Sequence, residues 1–191
     1  HSKLLEIIDK VLQYNFDGLN LDVEPYVLKD SNGKSLMEDP TQAIHKQFLD
    51  MLNKAYAKIN TASRRIQFGP CIPCWYDTST TKYCVSVAWN GTTKTLYGHL
   101  ISLCDYVSLM DYVTNPDTAI SMAKNELEKA SPLGKKVVIG LNLNTSEGSG
   151  NYYDPVDPSA GVKRMEDDMI YIEEKCKVYP SYEGMAVHHL E

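Results

Sequence analysis

Helical periodicity and short apolar runs alternate five times along this chain, helix first and strand last, and no other feature restricts its fold as much. Leu4, Leu5, Ile7, Ile8, Val11 and Leu12 give a helix over 3–13 a broad apolar face. A strand is expected over 16–24. The next helix, over about 41–59, follows Pro40 and carries Ile44, Phe48, Met51, Leu52, Ala55 and Ile59 at helical spacing. Further strands are expected over 65–71, 106–112, 137–141 and 184–188. Further helices are expected near 95–103, over 117–129, and along the face marked by Val162, Met165, Met169, Ile172 and Cys176. The segments 73–92 and 142–160 read as long loops, the second rich in Gly, Asn, Ser, Asp and Pro.

Alternation of this kind predicts an α/β fold with a parallel sheet, which is stable when both faces are covered or when the sheet closes into a barrel. The chain has 191 residues, 43% of them hydrophobic and 23% charged, enough for one domain with a sizeable core. A complete eight-stranded barrel takes about 250 residues, so the chain is short by about three strand–helix units. Its net charge of −6 and pI of about 5.4 argue against a nucleic-acid partner. No apolar run reaches the roughly 18 residues that span a bilayer. The chain begins His1-Ser2, which fits a processed product, a tagged chain or a fragment.

The five cysteines, Cys71, Cys74, Cys84, Cys104 and Cys176, form no disulfide framework. Cys71-Ile72-Pro73-Cys74 has the redox spacing but lacks the helix start that lowers a thiol pKa, so structural thiols are expected. A zinc site among them is not expected either.

Chemistry concentrates in Phe16-Asp17-Gly18-Leu19-Asn20-Leu21-Asp22-Val23-Glu24. On a strand, Leu19, Leu21 and Val23 share one face, and Asn20, Asp22 and Glu24 the other. Two carboxylates side by side in a confined space raise one another's pKa, and burial raises both. One can then stay protonated as a general acid while its neighbour orients a substrate. In barrel enzymes such pairs sit at the C-terminal ends of strands. Spacing alone fits a half-exposed antiparallel strand, whose polar residues face water, better than an enclosed pair, because such alternation is common in antiparallel sheets.

Asp17 to Glu24 resembles the DGxDxDxE signature of family 18 glycoside hydrolases, the chitinase-like TIM barrels, which lies on the fourth barrel strand. Met110-Asp111-Tyr112 is similar to the family's MxY segment on strand six. The segments 134–140 and 182–189 are similar to strands seven and eight. The resemblance implies the C-terminal portion, strands four to eight, of a (β/α)8 barrel, with the missing strands supplied by the rest of the protein. It implies retaining, substrate-assisted hydrolysis of an N-acetylhexosamine-containing glycan. Glu24 would protonate the leaving oxygen, Asp22 would hold the acetamido N–H, and Tyr112 would bind the acetamido oxygen. Asn20, Met110, Asn142 and His188 would complete the substrate site. Three positions depart from the family. Asn20 stands for an Asp, Val113 for the Asp after the MxY tyrosine, and His188 for the Trp under the reactive sugar. The pattern is that of a divergent branch.

Tyr26 and Trp75 follow predicted strands and are candidate stacking platforms; Tyr76 is weighed below them, and packing explains such residues equally well. Trp89 has no role. His45 and His99 read as packing or surface residues, and His189 carries no role. Asn90-Gly91-Thr92 and Asn144-Thr145-Ser146 match the N-glycosylation pattern, which is frequent by chance. Two other functions compete with a glycosidase. One is a non-catalytic glycan-binding barrel. The other is a metal-dependent hydrolase using Asn20, Asp22 and Glu24 as oxygen ligands, which chelator sensitivity would reveal.

Overall fold

Every helix expected from apolar periodicity is present in the computed structural model, which describes residues 2–77, 86–148, 150–154, 156 and 161–188. The chain divides into two compact units, His1–Val107 and Ser108–Glu191.

In the first unit, α1 (Ser2–Gln13) buries Leu4, Ile8 and Val11, one stripe at helical spacing. It leads to β1 (Gly18–Leu21), shorter at both ends than the expected 16–24. The strand stops before the carboxylates because Pro25, which lacks an N–H, starts a 3₁₀ turn over Pro25–Val27. A second 3₁₀ turn, Leu36–Glu38, is capped by the Ser35 hydroxyl, which accepts from Met37 N. Then α2 (Ala43–Asn60) buries His45, Phe48, Leu49, Leu52, Ala55 and Ile59. β2 (Gln67–Ile72) runs parallel to β1 with Asn20 opposite Gly69 and Leu21 opposite Pro70.

The segment expected to be a plain loop over 73–92 contains more structure than that. It holds a 3₁₀ turn, Cys74–Asp77, and most of an antiparallel hairpin, β3 (Val87–Trp89) with β4 (Thr92–Lys94). Asn90 and Gly91 form its turn with φ of 48° and 76°, as two-residue hairpin turns require. Cys84 lies outside the described residues. Thr95 accepts from Gly98 N and so caps α3 (Leu96–Leu103). His45 and His99 are both buried in their helices, and His99 Nε2 meets the Val87 carbonyl at 2.8 Å.

β5 (Tyr106–Leu109) crosses the division between the units. It is shorter than the expected 106–112, so Met110, Asp111 and Tyr112 follow the strand. In the first unit Asp105 closes the entry to β5. Its backbone N–H donates to the Phe68 carbonyl, and its carboxylate accepts from Phe68 N, both at 2.9 Å.

In the second unit, Asn115 and Pro116 start α4 (Pro116–Ala130), the Asn115 side chain accepting from Thr118 N. β6 (Lys136–Asn142) buries Val137, Ile139 and Leu141. α5 (Val162–Cys176) buries Met165, Ile172 and Cys176. β7 (Tyr182–His188) begins two residues before the expected strand and pairs in parallel with β6, Asn142 opposite His188. His189 lies outside the described residues. The five-stranded order is β1-β2-β5-β6-β7, with helices between successive strands, an α/β fold. No helix among the described residues is long and apolar enough to cross a membrane.

Candidate functional site

The first unit gathers Asn20, Asp22, Glu24, Tyr26, Cys71, Trp75 and Tyr76. The Pro25 turn does the local work. Val27 N donates to the Glu24 carbonyl at 3.2 Å, and Leu28 N to the Pro25 carbonyl at 3.2 Å. This tight reversal brings Tyr26 back over its near neighbour, and the Tyr26 hydroxyl donates to Glu24 Oε1 at 2.6 Å. Fixing one carboxyl oxygen leaves Oε2 as the atom available to a ligand.

Behind this pair stands an aromatic cluster. Tyr26 meets Trp75 edge to face with centroids 5.4 Å apart, and Trp75 meets Tyr76 at 4.8 Å. Tyr76, weighed lowest from sequence, is fully buried and carries the half-buried Tyr26 and Trp75 in front of it. Edge-to-face pairs of this kind stabilise by about 0.5–1.5 kcal/mol beyond their burial. A cavity of about 530 Å³ adjoins Glu24, with Asp22, Val27, Phe48 and Met51 also in its walls.

The carboxylates are less enclosed than strand alternation implied. Asn20 and Asp22 are exposed and Glu24 is half-buried. β1 has ended at Leu21, so Asp22 and Glu24 hang from irregular backbone.

Cys71 belongs to this cluster, which sequence reasoning missed. Its Sγ donates to Asn20 Oδ1 at 3.1 Å. Burial, then the Asp22 carboxylate, pushes the thiol up to about 11, with Glu24 adding to the rise and the Asn20 contact opposing it. The available signal was alternation on β2, where Cys71 shares a face with Gly69, itself opposite Asn20. A raised pKa means that the unreactive thiol dominates until high pH. Alkylation of Cys71 by iodoacetamide is expected to quicken about tenfold per pH unit up to near the thiol's titration point. Asp22→Asn removes a charge that disfavours the thiolate, so the profile shifts to lower pH and alkylation at about pH 9 becomes faster. Quantifying the Cys71 peptide by mass spectrometry checks this. An unchanged profile would separate Asp22 from the thiol.

The second unit gathers Met110, Tyr112, Asn142 and His188. The Tyr112 and His188 rings stack with centroids 5.3 Å apart and planes 20° from parallel. Met110 and Tyr112 are half-buried. Asn142 is buried and holds the following loop. Its Oδ1 accepts from Asn144 N at 2.8 Å, and its Nδ2 donates to the Asn151 carbonyl at 3.3 Å. Asp22 and Glu24 belong to the first unit and Tyr112 to the second.

Cys71 and Cys176 are free thiols. Among the described residues no group of three or more His, Cys, Asp or Glu side chains is placed to hold a metal ion.

The architecture is similar to that of solved structures. A glycoside hydrolase family 18 (GH18) chitinase from Pseudoalteromonas aurantia superposes with a TM-score of 0.59 at 15% identity, over 97% of this chain and 61% of that one. The spore cortex-lytic enzyme SleL of Bacillus megaterium QM B1551 does so with a TM-score of 0.53 at 14% identity, over 98% of this chain and 48% of that one. Identities this low show the fold alone. The chain spans less than two thirds of the length of either structure. No protein-family model matches the sequence. No curated protein matches it either. The fold is therefore α/β, with parallel strands and helices alternating as in the C-terminal portion, strands four to eight, of a (β/α)8 barrel.

Proposed function

We propose that this chain carries the acid–base half of a retaining glycosidase acting on an N-acetylhexosamine-containing glycan. The observation that carries the reading is the 2.6 Å hydrogen bond that orients Glu24 beside Asp22 and the Tyr26–Trp75 wall. Glu24, through Oε2, gives a proton to the leaving glycosidic oxygen as the bond to the anomeric carbon breaks. The substrate's own acetamido oxygen bonds to that carbon. Asp22 accepts the acetamido N–H and offsets the positive charge of the cyclic intermediate. Tyr112 donates to the acetamido oxygen. Water then attacks the anomeric carbon, the bond from that carbon to the acetamido oxygen breaks, and Glu24 takes back a proton from the water. The exposed faces of Tyr26 and Trp75 suit the apolar face of a sugar ring. Asn20, Met110, Asn142 and His188 are the remaining candidates for substrate contact. No cofactor enters this chemistry.

A glycan-binding barrel without turnover is the second reading. The ring stack of Tyr112 on His188 favours it, because it occupies a tyrosine face at the position where the family places a larger apolar floor. A panel of chromogenic N-acetylglucosaminides and longer glycans, assayed for release and for binding, separates the two. Release supports the glycosidase. Binding to several members with release from none overturns it in favour of the lectin.

A further inference from the structure

The β3–β4 hairpin turns at Asn90-Gly91, and Thr92 completes an Asn-x-Thr acceptor sequence there. The turn explains the first two residues. A two-residue hairpin turn needs positive φ at both, which Asn tolerates and Gly adopts freely. It does not explain Thr92. That residue is exposed, and among the described residues its hydroxyl donates to the Trp89 carbonyl alone, at 3.2 Å.

Asn90 is exposed at the tip. Beside it lies a hollow of about 240 Å³ lined by Asn53, Trp89, Lys94 and Ser102 as well as by Asn90 and Thr92. The Trp89 indole is held in place, its Nε1 donating to Asp50 at 2.8 Å and its ring meeting His99 edge to face at 5.5 Å. Lys94 Nζ donates to Ser102 Oγ at 3.0 Å on the same wall. An indole flanked by hydroxyl, amide and ammonium groups can receive both the apolar face and the hydroxyls of a first sugar.

The other match differs. Asn144 is half-buried, and its Oδ1 accepts from Ser146 N at 3.0 Å and Ser146 Oγ at 2.8 Å, closing a 3₁₀ turn over Thr145–Glu147. Its own N–H is held by Asn142.

We propose that Asn90 is an N-glycan acceptor and that Asn144 is not. The donor is a lipid-diphosphate-linked oligosaccharide. Asn90 Nδ2 forms a bond to the anomeric carbon, the carbon–oxygen bond to the diphosphate breaks, the lipid diphosphate leaves, and Nδ2 loses one proton to a base. This inference stands apart from the glycosidase reading.

The test is secretion of the full chain from yeast behind a cleavable signal, with intact mass measured before and after peptide N-glycosidase. A glycosidase-sensitive mass is expected in the wild type, in Asn144→Gln and in Thr92→Ser. It is expected to vanish in Asn90→Gln and in Thr92→Ala, and the released wild-type peptide should carry aspartate at position 90. A secreted wild type without sugar, or a glycan that persists in Asn90→Gln, overturns the proposal.

Discussion

Glu24→Gln is expected to lower kcat on any hydrolysed N-acetylhexosaminide by about 10²–10⁴-fold while leaving glycan affinity within a few fold. The amide keeps the shape of the carboxyl group and can still accept from the Tyr26 hydroxyl, so the oriented side chain and the aromatic wall survive. It cannot give a proton to a leaving oxygen. The loss should therefore fall on kcat and not on KM, because the missing interaction belongs to the transition state. Steady-state kinetics on the best substrate of the panel, paired with calorimetric binding, reads both quantities. Turnover equal to wild type would remove Glu24 from the acid role.

Gly69→Ala is expected to destabilise the first unit by about 2–4 kcal/mol. A Cβ on Gly69 would stand 2.3 Å from the Tyr106 carbonyl oxygen and 2.9 Å from its carbonyl carbon. Those atoms belong to the backbone of β5, so the clash is not relieved by a side-chain rotation. β2 and β5 must separate, and the Phe68–Asp105 hydrogen bonds at 2.9 Å lie next to the point where they would part. Urea unfolding followed by circular dichroism should show a lower midpoint with an unchanged slope. Wild-type stability in this variant would mean that the two strands do not approach as closely as the backbone geometry requires. Gly69 also lies opposite Asn20, so the same substitution perturbs the carboxylate cluster.

Much of the architecture was legible because its determinants are local. Helix periodicity is written in spacings of three and four residues, and α1, α2, α4 and α5 appear within about two residues of their expected ends. Caps such as Thr95 and Asn115 act within one turn. The hairpin was also written locally, in Asn90-Gly91, but its first strand, Val87–Trp89, is only three residues long and its second, Thr92–Lys94, is wholly polar, so neither shows an alternating pattern. Strand lengths were read too generously at 16–24 and 106–112, since a strand ends where its neighbour's hydrogen bonds end.

The candidate site divides in the same way. The residue types Asp22, Glu24, Tyr26 and Trp75 stood out by spacing and chemistry. Their arrangement did not. The bond from Tyr26 to Glu24 depends on a turn that Pro25 starts after the strand has ended. Cys71 reaches Asn20 only because β1 and β2 pair with Asn20 opposite Gly69, and a one-residue slip would turn the thiol to the other face. The exposure of Asp22 and the loop-holding bonds of Asn142 are likewise properties of packing.

By itself, then, the order of residues determined the alternation of helices and strands and the chemical groups carried near each strand end. Those follow from short-range periodicity, backbone preference and side-chain identity. Only the tertiary structure decided which groups meet, which stay in solvent and where each strand stops. These depend on register and burial between segments up to about fifty residues apart, such as Asn20 and Cys71, whose separation encodes no mutual geometry until the sheet has formed.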